Sequence, residues 1–184
     1  MKKVLLVALS LLMITPVIQA KDKEEEYKVV VTKNESGEYL YEGVINVESI
    51  TKEEMFKRAK DWVISNLKTE DNNISFDEAN MHIANTASVV LKPGSGFNWN
   101  MTHIVVNFKL NLAFKDGRYK FVFDNIVVQA ASPGIGLETL SYEQITRNNK
   151  PSKYVRKEVN EKLLSMSNQL EEAIKTGGTV KDNW

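Results

Sequence analysis

Between Ile104 and Phe114 every second residue is apolar: Ile104, Val106, Phe108, Leu110, Leu112 and Phe114 share one side, and Asn107, Lys109, Asn111 and Lys115 share the other. A two-residue period of this kind predicts a strand with one dry face. Asp116-Gly117 follows, a pair that readily takes the positive backbone angles of a two-residue hairpin turn, and the alternation resumes at Tyr119, Phe121 and Phe123. The turn sets a register. Lys115 faces Arg118, and the pairs Phe114–Tyr119, Leu112–Phe121 and Leu110–Phe123 fall on the dry face, with Lys109–Asp124 on the wet one. The pattern breaks at Asn125, so a bulge there is expected to return Ile126 and Val128 to the core side.

A different period governs the flanks. Thr51 with Glu54 has the spacing of a capping box, and Ile50 with Met55 that of a hydrophobic staple. From there Met55, Phe56, Ala59, Trp62, Val63 and Leu67 recur at helical spacing. Near the other end Val155, Val159, Leu163, Met166, Leu170 and Ile174 form a second helical stripe, started near Ser152 and stopped at Gly177-Gly178. Shorter apolar runs predict strands at Tyr39–Val47, Ile74–Asp77 and Met81–Leu91, the last with faces that its Thr86, Ala87 and Ser88 leave unassigned. Tyr27–Thr32 reads as an extra strand at the front. Lys92–Gly96 is a turn into the central strand through Phe97 and Trp99, Ser132–Gly136 is an irregular link, and residues 137–147 are unassigned. The order is then β-α-β-β-β-β-α, an α+β fold with an antiparallel sheet and two helices packed on one face.

Composition adds an address. Lys2 and Lys3 precede an apolar run from Val4 to Ile14, then Pro16 and a charged stretch from Lys21, the layout of a cleaved signal peptide over residues 1–20. The alternative, an uncleaved anchor, asks for roughly 20 apolar residues, more than Val4–Ile18 supplies. Residues 21–38 then form a charged tail with the extra strand, 39–176 a single domain, and 177–184 a C-terminal tail. The chain has no cysteine to carry a disulfide or a lipid. Export to the periplasm or the extracellular space is therefore expected, without a lipid anchor or a membrane span after cleavage. Of 24 basic residues two lie in the signal, leaving 22 against 24 acidic ones, which gives no electrostatic footprint for nucleic acid.

The segment Tyr39–Val63, above all Thr51-Lys-Glu-Glu-Met-Phe-Lys-Arg-Ala-Lys-Asp-Trp62, together with Lys115-Asp-Gly-Arg-Tyr119, resembles domain of unknown function 4468. The resemblance covers about residues 39–175. It implies a secreted protein of Bacteroidota with a fold like that of TATA-binding protein, and it supplies no catalytic residues.

The chemistry-bearing residues are sparse. His82 and His103 lie 21 positions apart on predicted strands, outside any metal-ligand spacing. Asp77-Glu78 and Asp124 stand at strand ends, Gly94-Ser95-Gly96 lacks the flanks of a nucleophile elbow, and Pro133-Gly134-Ile135-Gly136 lacks the lysine of a phosphate loop. Lys150, Lys153, Arg156 and Lys157 put positive charge at the start of the last helix, where it serves as a solvated face. No catalytic residue, metal ligand or cofactor is assigned. Phe97 and Trp99, beside the glycine-rich turn, are the ligand-binding candidates. The sequence reading is an exported, non-enzymatic binding module for a protein or a small apolar ligand. The alternative is a small periplasmic or cell-surface hydrolase using carboxylates with His103.

Overall fold

The structure is a computed structural model that describes residues 27–67, 73–91, 103–132, 136–146 and 150–177, with backbone alone at 103, 131, 132, 136, 150 and 151. Its elements in chain order are β1 (Thr32–Lys33), β2 (Tyr39–Asn46), α1 (Lys52–Asn66), β3 (Ile74–Asp77), β4 (His82–Leu91), β5 (His103–Lys115), β6 (Arg118–Ser132), β7 (Gly136–Ser141), α2 (Tyr142–Ile145) and α3 (Lys150–Thr176). The strands form one antiparallel sheet in the order β1-β2-β6-β5-β4-β3, with β7 also paired to β6. No helix among the described residues is long and apolar enough to cross a membrane.

The β5–β6 hairpin turns at Gly117, whose φ is +74°, and its register is the expected one from Lys115↔Arg118 to Lys109↔Asp124. Beyond it the register slips: Asn107 pairs with Val127, so Asn125 and Ile126 together face Phe108. Asn125 takes φ +50°, a left-handed angle that asparagine tolerates better than most residues. This one extra residue keeps Ile126, Val128 and Ala130 on the core side; without it the two-residue period would have turned all three to solvent.

α1 starts at Thr51, whose hydroxyl accepts from the Glu54 N–H at 3.3 Å. Met55, Phe56, Ala59, Trp62 and Val63 form its buried stripe. Arg58 ties this helix to α3. Its Nε donates to Glu54 at 2.7 Å, and Nη1 donates to the Ile174 and Lys175 carbonyls at 2.7 and 3.1 Å, satisfying acceptors that the end of α3 leaves open. Gly177 closes α3 at φ +70°, donating to the Ala173 carbonyl. The α3 stripe of Val155, Val159, Leu163, Met166, Leu170 and Ile174 is buried against the same sheet face as α1. On β4, Ile83, Asn85, Ala87 and Leu91 are the inward positions.

The structure departs from the expected order in two places. The front strand is present but short: pairing with β2 is confined to Thr32 and Lys33, and Tyr27–Val31 leave the sheet for α3, where the consecutive Val30 and Val31 are both buried. The unassigned 137–147 region supplies a further strand, β7, and the short helix α2, opened by a full capping box at Ser141 and Gln144. The turn residues Lys92–Gly96 lie outside the described residues.

Gly43 on β2 pairs with Phe121, and a Cβ built there would stand 2.7 Å from two atoms of that ring. Phe121 is itself held edge-on by Tyr41, with centroids 5.0 Å apart, and cannot swing away. Gly43→Ala is expected to cost about 1–3 kcal/mol by overpacking, read as a lower urea midpoint with an unchanged slope.

Candidate functional site

β6 is 15 residues long and takes two partners end to end along one edge. β2 covers Arg118–Phe123 and β7 covers Val127–Ser132, so Asp124, Asn125 and Ile126 lie at the fork between them. The bulge sits at that fork. The result is a cleft of about 560 Å³ walled by Gly37–Leu40, Asp124–Val127 and Ser141–Glu143, a volume in the range of small-ligand sites.

Two tyrosines stand in it. Tyr39 and Tyr142 have ring centroids 5.2 Å apart at 47°. The Tyr142 hydroxyl accepts from Asn160 Nδ2 at 2.7 Å, and burial pushes its pKa up to about 12. Asn160 is fully buried. Its Oδ1 accepts from the Val30 and Val31 N–H groups at 2.7 and 2.9 Å, and Nδ2 also donates to the Arg156 carbonyl at 2.7 Å. One amide therefore joins α3, α2 and the N-terminal segment. Arg156 repeats the connection, with Nε donating to the Tyr27 hydroxyl at 2.9 Å and Nη1 to the Thr146 carbonyl at 3.2 Å.

The cleft's charge is acidic. Glu38, Asp124 and Glu143 line it. Burial raises the Asp124 pKa, Lys109 and a 2.8 Å hydrogen bond from Asn111 pull it back, and Glu38 raises it further. Among the described residues two cations stand by these carboxylates: Lys109, paired across the strands with Asp124, and Lys33, whose Nζ lies 3.5 Å from Glu143 and 5.4 Å from the centre of the Tyr39 ring. Among the described residues no three acidic or histidine side chains come together to hold a metal ion.

The second surface is the sheet face turned away from the helices. Its rows follow from the register: Val90, Val105, Gln129 and Thr139; then Ser88, Asn107, Val127 and Ser141; then Thr86, Lys109 and Asp124; then Ala84, Asn111, Val122 and Glu42; then His82, Ala113, Lys120 and Val44. Most are short, and none is a phenylalanine, tyrosine or tryptophan. Val44, Val90 and Leu137 on this face are 57%, 64% and 67% exposed.

Phe97 and Trp99 lie outside the described residues, as do Ser95 and Gly134. His103 begins β5 opposite Ala131, six positions from the Lys109–Asp124 pair, which is roughly 20 Å along a strand. The structure does not bring His103 to Asp124. His82 pairs with Ala113 and Asp77. Asp77 accepts from the Asn80 N–H and Nδ2 at 3.0 and 2.8 Å, bonds that lower its pKa and shape the turn, while Glu78 pairs with Lys60 at 3.1 Å. Of the basic group on α3, Arg156 turns inward as described and Lys157 reaches Glu161 at 3.8 Å. Sequence reasoning missed Tyr39, Tyr142 and Asn160 as a unit. The one local signal was Asn160, a polar side chain at helical spacing beside the apolar stripe of α3.

A family model described as domain of unknown function (DUF4468) with TBP-like fold matches residues 41–129. No curated protein matches the sequence. Among solved structures, the chain is similar to a TBP-like protein from Parabacteroides distasonis, with a TM-score of 0.68 at 16% identity over 81% of this chain and 99% of that one. It is also similar to a DUF4468 family protein from Bacteroides ovatus, with a TM-score of 0.62 at 14% identity over 84% of this chain and 95% of that one. The matched segment holds most of β2, α1 and the central hairpin with its bulge, and over it the chain is similar to the DUF4468 family of TBP-like fold.

Proposed function

We propose that the protein is an exported, non-enzymatic binding module that holds a protein partner against the helix-free face of its sheet. The observation that carries this reading is the face itself. Toward the Val90 end its side chains are short and uncharged, with Lys109, Asp124, Lys120 and Glu42 confined to the other half, and Val90 and Leu137 there keep more than half of their surface in water. Such a surface loses little side-chain entropy when it is covered. Exposed apolar groups on one face favour an interaction site over a merely solvated sheet. Export rests on the basic-then-apolar pattern of residues 1–20.

The test is native mass spectrometry of mature protein purified from its own source, as wild type and as Val90→Arg with Val105→Arg. A protein species retained by the wild type and lost from the variant, with circular dichroism unchanged, is the expected result. No retained species, or one retained equally by both, overturns the reading.

A further inference from the structure

We infer that the fork cleft between β2 and β7 receives a basic side chain, lysine or arginine, from the partner on the sheet face, in exchange for Lys33. The inference rests on the partner-binding reading above, because Leu40, Asp124, Val127 and Ser141 belong by register to the helix-free face and wall the cleft from that side.

The shape and chemistry of the cleft select this occupant. Three carboxylates, against Lys33 at the rim and Lys109 across from Asp124, leave the cleft net acidic and disfavour an anion. A bare metal ion is disfavoured as well, since the carboxylates do not converge. The partly exposed ring of Tyr39, backed by the buried Tyr142 and set beside carboxylates, suits an organic cation, which gains from the ring quadrupole and from charge together. Leu40 and Val127 offer apolar contact to the alkyl stem of such a side chain.

The protein supplies its own example. Lys33 places its ammonium over the Tyr39 ring and beside Glu143, the two kinds of group that an incoming cation would use. Its side chain is 48% exposed, so it rests at the rim without filling the cleft. Deeper in, Asp124 is a half-buried carboxylate with a raised pKa, and a cation near it would repay part of its desolvation. The bulge residues Asn125 and Ile126 line the cleft, and Tyr142 in its tyrosine wall is pinned by Asn160.

The test uses the mature chain and assigned amide spectra, titrated with butylguanidinium, butylammonium and neutral butyramide. The cations are expected to shift the amides of Leu40, Asn125 and Glu143, while butyramide leaves them in place. Lys33→Met is expected to tighten the cations by about threefold, the scale of one exposed cation–π contact, and Asp124→Asn to weaken them by a similar factor. Shifts no larger than those from butyramide, or shifts indifferent to both substitutions, overturn the inference. Cation binding at the cleft with no effect of the Val90 and Val105 changes on partner retention would sink the sheet-face reading alone. Loss of the partner in that variant with no cation binding would sink the cleft alone.

Discussion

Trp62→Ala is expected to remove about 3–5 kcal/mol of stability, the cost of deleting a large buried aromatic. Trp62 is the largest of the fully buried side chains, 1% exposed, on the stripe by which α1 meets the sheet. Ala59, Val63 and Met55 around it are themselves buried to completion, so the helix has little room to settle into the space left behind. For a domain of this size, 1 kcal/mol moves the melting temperature by roughly 2–4 °C, so a fall of roughly 6–20 °C follows. Trp62→Phe separates two contributions. The indole N–H meets no acceptor among the described residues, and a buried donor without a partner costs about 1–3 kcal/mol. Phenylalanine keeps most of the apolar volume and removes that donor, so it is expected to cost well under half as much as alanine. Differential scanning calorimetry of the three proteins checks both values. Equal losses for alanine and phenylalanine would show that the indole N–H is satisfied.

The same residue illustrates what could be read from the chain in advance. Trp62 lies on a helical stripe, and Leu112 and Phe121 on alternating ones, and in each case the inward direction is written in residues only a few positions away. The central hairpin was legible to the level of single pairs because Asp116-Gly117 admits one register that dries both strands on the same side. Even the bulge was visible, since Ile126 and Val128 had to return inward. The fork was not. It exists because β7, from a stretch without clear alternation, joins β6 on the edge that β2 already holds, and that choice depends on elements about a hundred residues apart. Tyr39 and Tyr142 share a wall for the same reason. Phe97 and Trp99 rest on a local rule, aromatics beside a glycine-rich turn, and lie outside the described residues; a cleft made by topology has no such local signature. The front strand is shorter than its apolar run for a related reason: Val30 and Val31 are adjacent and both buried, which one face of a strand does not allow.

What holds those two valines is a single amide, and Asn160→Leu is expected to cost on the order of 3–5 kcal/mol. The substitution leaves the Val30 and Val31 N–H groups and the Tyr142 hydroxyl without the partners they now have at 2.7 to 2.9 Å. Leucine is close to asparagine in size, so the loss comes from the orphaned polar groups more than from a cavity. The chain can limit the damage by releasing the segment that begins at Tyr27, at the cost of wetting two buried valines, worth about 1.5–3 kcal/mol each when fully buried. Either route raises the same signal. Amide exchange at Val30 and Val31 should accelerate toward that of unfolded chain, while Leu110 and Leu112 at the centre of the sheet stay protected. Asn160→Asp is the control. It retains an acceptor for both N–H groups and loses only the donor toward Tyr142 and the Arg156 carbonyl, so exchange at the valines should remain slower than in the leucine variant. Cation binding provides the link to the cleft: with Tyr142 no longer held from behind, butylguanidinium should bind the leucine variant more weakly even at temperatures where the sheet remains folded. Protected valines in Asn160→Leu would mean that burial alone docks the segment, and the amide would then be incidental to both the strap and the tyrosine wall.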